Sequence, residues 1–287
     1  IQLNLRRQQS PSPTEVLAYN SIRPSDLHVG ALVGKGGFGT VFQGTYQGNL
    51  VAVKQIDISK WNTCPHGGST TQATTVDSSI DVAVERALRE ASILSELRHP
   101  NVVAFFGITT QKTDKSRLSP MAAKHAPSVA GYSLVTELCE ISLNKVQLGW
   151  GLVKGHELWT MLLHIAQGMQ YLHRKDILHR DLKPGNILIS EIPATSQVVA
   201  RRTYKVCDFG LARVLPVDGE SANLTGGCGT PLFMAPENIV GDQVLMRGHP
   251  FACDVFSYGI LAWQILADER PYIESDTCRG MSLHQIK

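Results

Sequence analysis

The sequence predicts an α+β protein built from two lobes, and three observations lead to this prediction. Short β-branched and apolar runs separated by glycines fill residues 27–58, a pattern typical of a three-stranded antiparallel meander. One helix-like stretch and two further strand-like runs follow. From residue 142 onward, apolar stripes at helical spacing dominate. A strand-rich first part and a helix-rich second part predict two lobes with a cleft between them.

Composition excludes several functional classes. The 27 Lys and Arg residues nearly balance the 25 Asp and Glu residues, so the net charge is +2 and a nucleic-acid partner is not expected. No apolar run approaches the roughly 18 to 20 residues of a membrane span, so no membrane insertion is expected. Six scattered cysteines form no CxxC pair, which fits reduced thiols in the cytoplasm better than a zinc site or a disulfide framework.

The first lobe is expected over residues 25–138, after a linker or disordered arm at residues 1–24. Apolar residues recur at helical spacing from residue 81 to residue 98, and strand-like runs follow at 102–108 and 132–138. Polar stretches at 59–80 and 109–131 separate these elements. We interpret both stretches as surface insertions.

The second lobe is expected over residues 139–287. Residues 156–172 carry the apolar stripe of a helix with one buried face, and residues 254–266 are so apolar that we expect a central helix. Two short runs, 187–189 and 204–206, resemble a hairpin whose polar connection, 191–203, forms a third insertion. The three insertions suggest either docking segments for regulatory partners or plain surface loops.

A glycine-rich segment lies between the first two predicted strands. Its six residues are Gly34, Lys35, Gly36, Gly37, Phe38 and Gly39. This GxGxxG spacing also occurs in dinucleotide-binding turns, and Asp57 lies about where a ribose-binding acid would be. Residues 40–42 predict a strand instead of a helix, so no helix N-terminus is available for a pyrophosphate. A loop that covers a triphosphate fits better, and an ordinary surface hairpin remains the alternative.

Lys54 ends an otherwise apolar strand, and a buried lysine requires an anionic partner. Glu90 on the predicted helix is a candidate partner, although surface exposure of both residues is the alternative. Farther along, Asp181, Lys183, Asn186 and Asp208 lie just before and after the short predicted hairpin. Two oxygen ligands beside a lysine describe a magnesium–phosphate site.

From about residue 25 to residue 287, the chain resembles the eukaryotic protein kinase family. Five motifs carry the resemblance, in the family's order along the chain. They are Gly34-x-Gly36-x-x-Gly39-x-Val41, Val51-Ala52-Val53-Lys54, His179-Arg180-Asp181, Asp208-Phe209-Gly210 and Ala235-Pro236-Glu237. The style of residues 136–139 and 229–237 looks most like the tyrosine-kinase-like branch that contains Raf and mixed-lineage kinases.

The resemblance implies a bilobal kinase fold that binds ATP and Mg²⁺ and phosphorylates Ser or Thr of protein substrates. Lys54 would hold the α- and β-phosphates, with Glu90 rather than Glu85 as its ion-pair partner. Asp181 would accept or orient the proton of the attacking hydroxyl, and Lys183 would stabilise charge on the transferred group. Asn186 and Asp208 would bind Mg²⁺.

The resemblance also implies an adenine site. The ring would lie between Val41 and Ala52 on one side and Leu188 on the other. It would form hydrogen bonds with the backbone of Glu137 and Cys139, and Thr136 would be the gatekeeper. The glycine-rich segment, residues 34–39, would cover the phosphates.

Lys183 and Thr230 resemble the Ser/Thr-specific pattern of the family rather than the tyrosine-specific one. Arg180 could pair with a phosphate on residues 211–229, where Ser221 and Thr225 are the candidate acceptors, and plain loop residues are the alternative. Cys139 and Cys207 are expected to be small buried hydrophobes in preference to redox thiols.

The C-terminus departs from the family pattern. Residues 270–287 match the approach to a helix that further helices follow in the family, and those C-terminal helices are expected to be missing here. An active Ser/Thr protein kinase is predicted because every motif residue is present. The alternative is a non-catalytic scaffold or nucleotide-binding module on a truncated kinase fold.

Overall fold

The structure is a computed structural model, and it describes residues 20–36, 39–56, 76–112, 129–146, 155–192, 201–215, 227–242, 244 and 248–272. The chain divides into two compact units. One contains Ile1–Leu97 and Ala104–Leu138, and the other contains Arg98–Val103 and Cys139–Lys287. Within the described residues, no helix is long and apolar enough to cross a membrane.

The first unit is built on a five-stranded antiparallel sheet in the order β1-β2-β3-β5-β4. Its strands are β1 (Leu27–Gly36), β2 (Gly39–Tyr46), β3 (Asn49–Gln55), β4 (Phe105–Lys112) and β5 (Val129–Glu137), and helix α1 covers Val76–Ser95. The predicted meander is confirmed as β1, β2 and β3.

Alternation along the strands places one face of this sheet in a core. Val51 and Val53 of β3 are fully buried and cluster with Ile22, Leu27 and Val135. Side chains alternate between the two faces of a strand, so Ala52 and Lys54 point to the opposite face. This alternation separates the residues that stabilise the unit from those predicted to bind a ligand.

Several predicted boundaries in the first unit are wrong. The strand predicted at 102–108 begins only at Phe105, because Val102 bridges Val206 and the Val103 N–H donates to the Val206 carbonyl in the second unit. For the same reason, residues 98–103 group with the second unit instead of the predicted first lobe. The helix predicted at 81–98 is displaced toward the N-terminus, to Val76–Ser95, since the Arg98 N–H already donates to the Tyr171 hydroxyl.

The predicted insertions are also shorter than expected at their edges. Residues 76–80 belong to α1, residues 109–112 and 129–131 extend β4 and β5, and residues 191–192 and 201–203 extend a hairpin in the second unit. The stretches that extend the strands are polar, yet their backbones pair in the antiparallel ladders. Cross-strand hydrogen bonding therefore continued where the side-chain pattern indicated a loop.

The second unit combines helices with two small sheets. Its helices are α2 (His156–Arg174), α3 (Pro236–Val240) and α4 (Ala252–Ala267). The three-stranded sheet, in the order β6-β8-β9, contains β6 (Ile141–Ser142), β8 (Ile187–Ile192) and β9 (Arg201–Val206). A two-stranded sheet pairs β7 (Ile177–Leu178) with β10 (Arg213–Val214). The helix predicted at 156–172 and the hairpin of β8 and β9 are confirmed.

Helix α4 is not buried on all sides, as its apolar sequence had suggested. One face is buried through Asp254, Ser257, Leu261 and Ile265. Val255, Trp263 and Leu266 are 59%, 45% and 51% exposed. The helix therefore contacts the described part of the chain through a stripe only.

Some predictions fall outside the described residues and remain untested by the structure. They concern residues 1–19 of the arm, Gly37 and Phe38 of the glycine-rich segment, most of the three insertions, Ser221, Thr225 and residues 273–287.

Candidate active site

In the first unit, four of the predicted nucleotide-binding residues share one face of the sheet. Val41 lies opposite Lys54 in the β2–β3 ladder, and Ala52 lies opposite Thr136 in the β3–β5 ladder. Directly opposite residues in an antiparallel pair point to the same face. Strand pairing therefore gathers these four side chains on the face opposite the core of Val51 and Val53.

The glycine-rich segment begins in β1 and continues into β2. Gly34 and Lys35 pair with Val41 and Thr40, and Gly36 pairs with Gly39. Gly39 has a positive φ of 154°, and a Cβ there would lie 2.3 Å from the Gln55 carbonyl oxygen. Only glycine permits this close approach between the two backbones.

The ion pair predicted for Lys54 is present in the structure. The Lys54 Nζ lies 2.8 Å from Glu90 Oε1 and 3.1 Å from Glu90 Oε2, and the two side chains are only 18% and 6% exposed. Glu85 binds Arg89 one turn away on α1 instead. The pair therefore places a lysine with little exposure on the face that carries Val41, Ala52 and Thr136, and its charge is balanced there.

In the second unit, Asp181 is the centre of a hydrogen-bond cluster. Its Oδ2 accepts from Lys183 Nζ at 2.6 Å, and its Oδ1 accepts from the Thr230 hydroxyl at 2.7 Å. Lys183 Nζ also donates to the Thr230 hydroxyl at 2.7 Å. Asp181 is buried in the described chain, whereas Lys183 is partly exposed. These contacts hold one carboxylate in a single orientation beside one cation.

Asn186 completes this cluster and indicates how an ion could bind. Its amide nitrogen donates to the Asp181 carbonyl oxygen at 2.7 Å and to Asp181 Oδ2 at 3.0 Å. Because both partner atoms are acceptors, the NH₂ group of the Asn186 side chain must face Asp181. The Oδ1 of Asn186 therefore makes no hydrogen bond with Asp181. The Cys207 N–H donates to the Asn186 carbonyl, which brings Asp208 next to Asn186 along the backbone. A carboxylate and an amide oxygen are ligands that suit Mg²⁺.

Asp254 of α4 supports the backbone of this cluster, and the sequence analysis missed it. Its carboxylate accepts from the N–H groups of His179 and Arg180 at 2.9 and 2.8 Å, and from the His173 ring at 2.9 Å. Burial alone would raise the Asp254 pKa, but His173, His179 and these N–H donors outweigh it, so the pKa lies below its usual value. A single acid in an otherwise apolar helix was the signal that could have identified it.

His179 connects the two loops of the cluster. Its Nδ1 accepts from the Asp181 N–H at 3.3 Å, so its Nε2 is the nitrogen that donates to the Cys207 carbonyl at 3.0 Å. The ring also contacts the buried Phe209 edge-on, with 5.4 Å between centroids. One side chain thus fixes residues 181 and 207–209 relative to each other.

The remaining predicted adenine residues are Glu137 of the first unit and Cys139 and Leu188 of the second. The Glu137 N–H donates to the Ala104 carbonyl at 2.9 Å, so only the carbonyl group of Glu137 is left as an adenine contact. Cys139 is buried, and Leu188 is half-buried in β8 opposite Ser142. The first unit contains Val41, Ala52 and Thr136, and the second contains Cys139 and Leu188. The structure describes each group within its own unit.

Comparison with known proteins identifies the family of this chain. A probable serine/threonine-protein kinase of Dictyostelium discoideum is 28% identical over 253 residues, covering 88% of this chain and 22% of that protein. Human mitogen-activated protein kinase kinase kinase 11 is 30% identical over 269 residues, covering 93% of this chain and 26% of that protein. The chain thus spans about a quarter of the length of these relatives. The family described as protein kinase domain matches residues 27–286, and the chain belongs to that family.

Proposed function

We propose that this chain is a protein serine/threonine kinase that transfers the γ-phosphate of ATP to Ser or Thr hydroxyls of protein substrates. The hydrogen-bond cluster of Asp181, Lys183 and Thr230 carries the proposal. It combines a proton acceptor and a cation in one place, which is the arrangement that in-line phosphoryl transfer to a hydroxyl requires. The names of the relatives support the same activity.

Each residue has a physical task in this proposal. Asp181 orients the substrate hydroxyl and takes its proton, while Lys183 stabilises the charge that develops on the transferred phosphoryl group. Lys54, held by Glu90, contacts the α- and β-phosphates of ATP. Asn186 and Asp208 would hold Mg²⁺, which neutralises charge on the phosphate oxygens when bound.

The adenine and the phosphates need further contacts. We assign the adenine to Val41, Ala52 and Leu188, with the main chain of Glu137 and Cys139 as hydrogen-bond partners and Thr136 as the gatekeeper. Backbone N–H groups of residues 34–39 face the phosphates in this assignment. The pairing of Val41 with Lys54 and of Ala52 with Thr136 puts these side chains on one face of the sheet of the first unit, which supports the assignments of Val41, Ala52 and Thr136.

The finer assignments follow from the same resemblance. We place the chain in the tyrosine-kinase-like branch and in the cytoplasm, where six scattered cysteines would stay reduced. Ser221 and Thr225 are the acceptors of a regulatory phosphate that Arg180 would bind. Partners of the three insertions and of flanking domains would direct the kinase to its substrates.

Phosphate transfer to a generic Ser/Thr substrate protein, with MgATP, tests the proposal. We expect Asp181→Asn to lower the rate about 10²- to 10⁴-fold while the protein stays folded and still binds ATP. Lys54→Met should instead weaken ATP binding. If the parent chain binds ATP but transfers no phosphate, and Asp181→Asn behaves identically, the non-catalytic scaffold is the correct function. Equal, rapid transfer by parent and Asp181→Asn would refute the role of Asp181.

A further inference from the structure

We infer that Asn238 and Ser257 are positioning residues for phosphate transfer, because they hold the backbone of residues 227–234 on both sides of Thr230. This stretch is here named the Thr230 segment. Both side chains would act on Asp181 only through the main chain of the segment and the hydroxyl of Thr230. The inference rests on the proposed function, since it assigns further residues to that reaction.

Asn238 of α3 holds the part of the segment that precedes Thr230. Its side-chain amide nitrogen donates to the Cys228 carbonyl at 3.2 Å, and its main-chain carbonyl accepts from the Gly227 N–H at 2.7 Å. Asn238 is only 3% exposed, so water competes little for these hydrogen bonds. One residue therefore binds two consecutive residues of the segment.

The other atom of this amide group indicates that Asn238 does not serve stability alone. Its Oδ1 is buried and makes no hydrogen bond with any atom that the structure describes. A buried acceptor without a partner costs free energy, whereas an apolar side chain of similar size would carry no such cost. The contact with Cys228 is therefore the feature of the structure that accounts for an amide at this position.

Ser257 of α4 holds the part of the segment that follows Thr230. Its buried hydroxyl donates to the Phe233 carbonyl at 2.7 Å, and the Cys253 carbonyl is a second, longer acceptor at 3.0 Å. Pro231–Phe233 form a 3-10 turn, in which the Phe233 N–H donates to the Thr230 carbonyl at 2.9 Å. By holding Phe233, Ser257 fixes the turn that begins directly after Thr230.

Helix α4 supports both halves of the Asp181 cluster. Asp254 binds the two backbone N–H groups just before Asp181, and Ser257 binds the backbone just after Thr230. Asp254 and Ser257 are three residues apart on the buried face of α4, and residues at this spacing are neighbours on a helix surface. One rigid element therefore places the loop of Asp181 relative to the segment of Thr230.

The position of Thr230 is the property that these contacts control. Its hydroxyl lies 2.7 Å from Asp181 Oδ1 and 2.7 Å from Lys183 Nζ. A shift of about 1 Å would break both hydrogen bonds, and a misplacement of that size in an active site can lower a rate by up to about 10²-fold. We therefore expect Asn238 and Ser257 to affect the turnover number kcat and not the binding of ATP.

Steady-state kinetics of phosphate transfer from MgATP to a generic Ser/Thr substrate protein test this inference on the full 287-residue chain. Asn238→Leu and Ser257→Ala should each lower kcat about fivefold, as expected for the loss of one hydrogen bond, with the KM for ATP within about twofold of the parent. Asn238→Asp keeps the shape but replaces the donor with an acceptor, so it should be at least as slow as Asn238→Leu. Added to Thr230→Val, Asn238→Leu or Ser257→Ala should lower kcat by less than about a further twofold, because both act through Thr230.

Tyr258→Phe is the matched control. Tyr258 follows Ser257 on α4, and its hydroxyl donates to the Leu162 carbonyl of α2 at 3.2 Å. The substitution removes one hydrogen bond between the same helix and a main-chain carbonyl elsewhere, so kcat should stay within about twofold of the parent. The inference is wrong if Tyr258→Phe slows transfer as much as Ser257→Ala does. It is also wrong if the effects of Asn238→Leu and Thr230→Val on kcat simply multiply.

Hydrogen exchange of the peptide that covers residues 227–234 tests the same inference without any need for activity. Exchange should be about tenfold or more faster in Asn238→Leu and Ser257→Ala than in the parent and Tyr258→Phe. If the parent transfers no phosphate, the proposed function fails, whereas faster exchange in these two variants would still confirm that both side chains hold the segment. Unchanged exchange in both variants would overturn the inference, and so would faster exchange with an unchanged kcat.

Discussion

Thr230 shows how a neutral side chain can organise two charged ones. Its hydroxyl donates to Asp181 and accepts from Lys183, each at 2.7 Å, although it lies 47 residues or more from both in sequence. The backbone just before Thr230 is also constrained, because a Cβ at Gly229 would lie 2.6 Å from the Arg180 carbonyl oxygen. Thr230 therefore stands at a defined position beside the proposed proton acceptor.

Replacing Thr230 tests whether this hydroxyl positions Asp181. Thr230→Val keeps the shape but removes both hydrogen bonds, and hydrogen bonds to charged groups contribute about 1.5–3 kcal/mol. We expect the rate of phosphate transfer to fall about 10- to 100-fold. Thr230→Ser keeps the hydroxyl and should retain most of the rate. Equal rates for the two variants would contradict the positioning role.

Asp254 provides a pH-dependent prediction. Its pKa in the folded chain lies below the ordinary value of 3.8, so its contribution to stability is complete above that value and is lost as the pH falls below it. Asp254→Asn leaves buried N–H groups without a full acceptor, and we expect unfolding at pH 7 to be easier by about 3 kcal/mol. The difference in the free energy of unfolding between Asp254→Asn and the parent should shrink below about pH 4, where Asp254 begins to be protonated in the parent as well.

Urea unfolding between pH 7 and pH 3 measures this difference. Asp26→Asn is the control, because Asp26 also has a pKa lowered by its hydrogen bond with Arg23, but its side chain is 36% exposed whereas Asp254 is buried. That variant should change the free energy of unfolding far less than Asp254→Asn does. If the difference in the free energy of unfolding between the parent and Asp254→Asn grows as the pH falls, the pKa of Asp254 is not lowered by folding.

At the scale of elements, the segment before β1 is part of the sheet unit and not merely a linker. The Ile22 N–H donates to the Ile108 carbonyl of β4 at 2.8 Å, and the Ile22 side chain is 3% exposed in the core with Val51 and Val53. Gly107 makes room for it, since a Cβ there would lie 2.5 Å from the Asn20 carbonyl oxygen. The predicted arm at residues 1–24 is therefore wrong for residues 20–24, because tertiary burial stabilises them.

Ile22→Ala tests this anchoring. Truncating a buried isoleucine removes apolar contacts and leaves a cavity, so we expect the free energy of unfolding to fall by about 2–5 kcal/mol. Leu50→Ala is the control in the same unit, because Leu50 is 59% exposed and its truncation should change stability by less than about 0.5 kcal/mol. Chemical denaturation of both variants measures the difference. Equal effects would mean that residue 22 is not anchored.

At the scale of the whole molecule, the exposed apolar side chains of α4 have a predictable consequence. Trp263 and Leu266 leave about half of their surfaces exposed near the end of the helix. Contiguous exposed apolar groups promote binding of hydrophobic dyes and self-association. Trp263 and Leu266 are three residues apart on the helix, so their side chains lie on one face and form one patch.

Trp263→Ser combined with Leu266→Gln should reduce this behaviour. We expect lower fluorescence of the dye ANS and less concentration-dependent light scattering, with a melting temperature within a few degrees of the parent. Val29→Ser is the control, because Val29 is 47% exposed on β1 of the other unit. Unchanged scattering in the double variant would show that this patch does not drive association.

The sequence by itself determined the features that depend on local pattern. The meander, the helices α2 and α4, the hairpin of β8 and β9 and the motif residues could all be predicted, because periodicity and motif spacing are local properties. A buried lysine requires an anion, and the resemblance to the protein kinase family implied that Glu90 is that partner of Lys54, as the structure shows. Edges of strands were predicted less well, since backbone pairing extends into polar residues.

Only the tertiary structure decided the long-range contacts. Residues 98–103 belong to the second unit because of hydrogen bonds with β9, which lies about a hundred positions farther along the chain. The carboxylate of Asp254 supports the backbone of His179 and Arg180 from 75 and 74 positions away. Such contacts depend on which surfaces meet when the elements pack, and no local pattern of side chains encodes that.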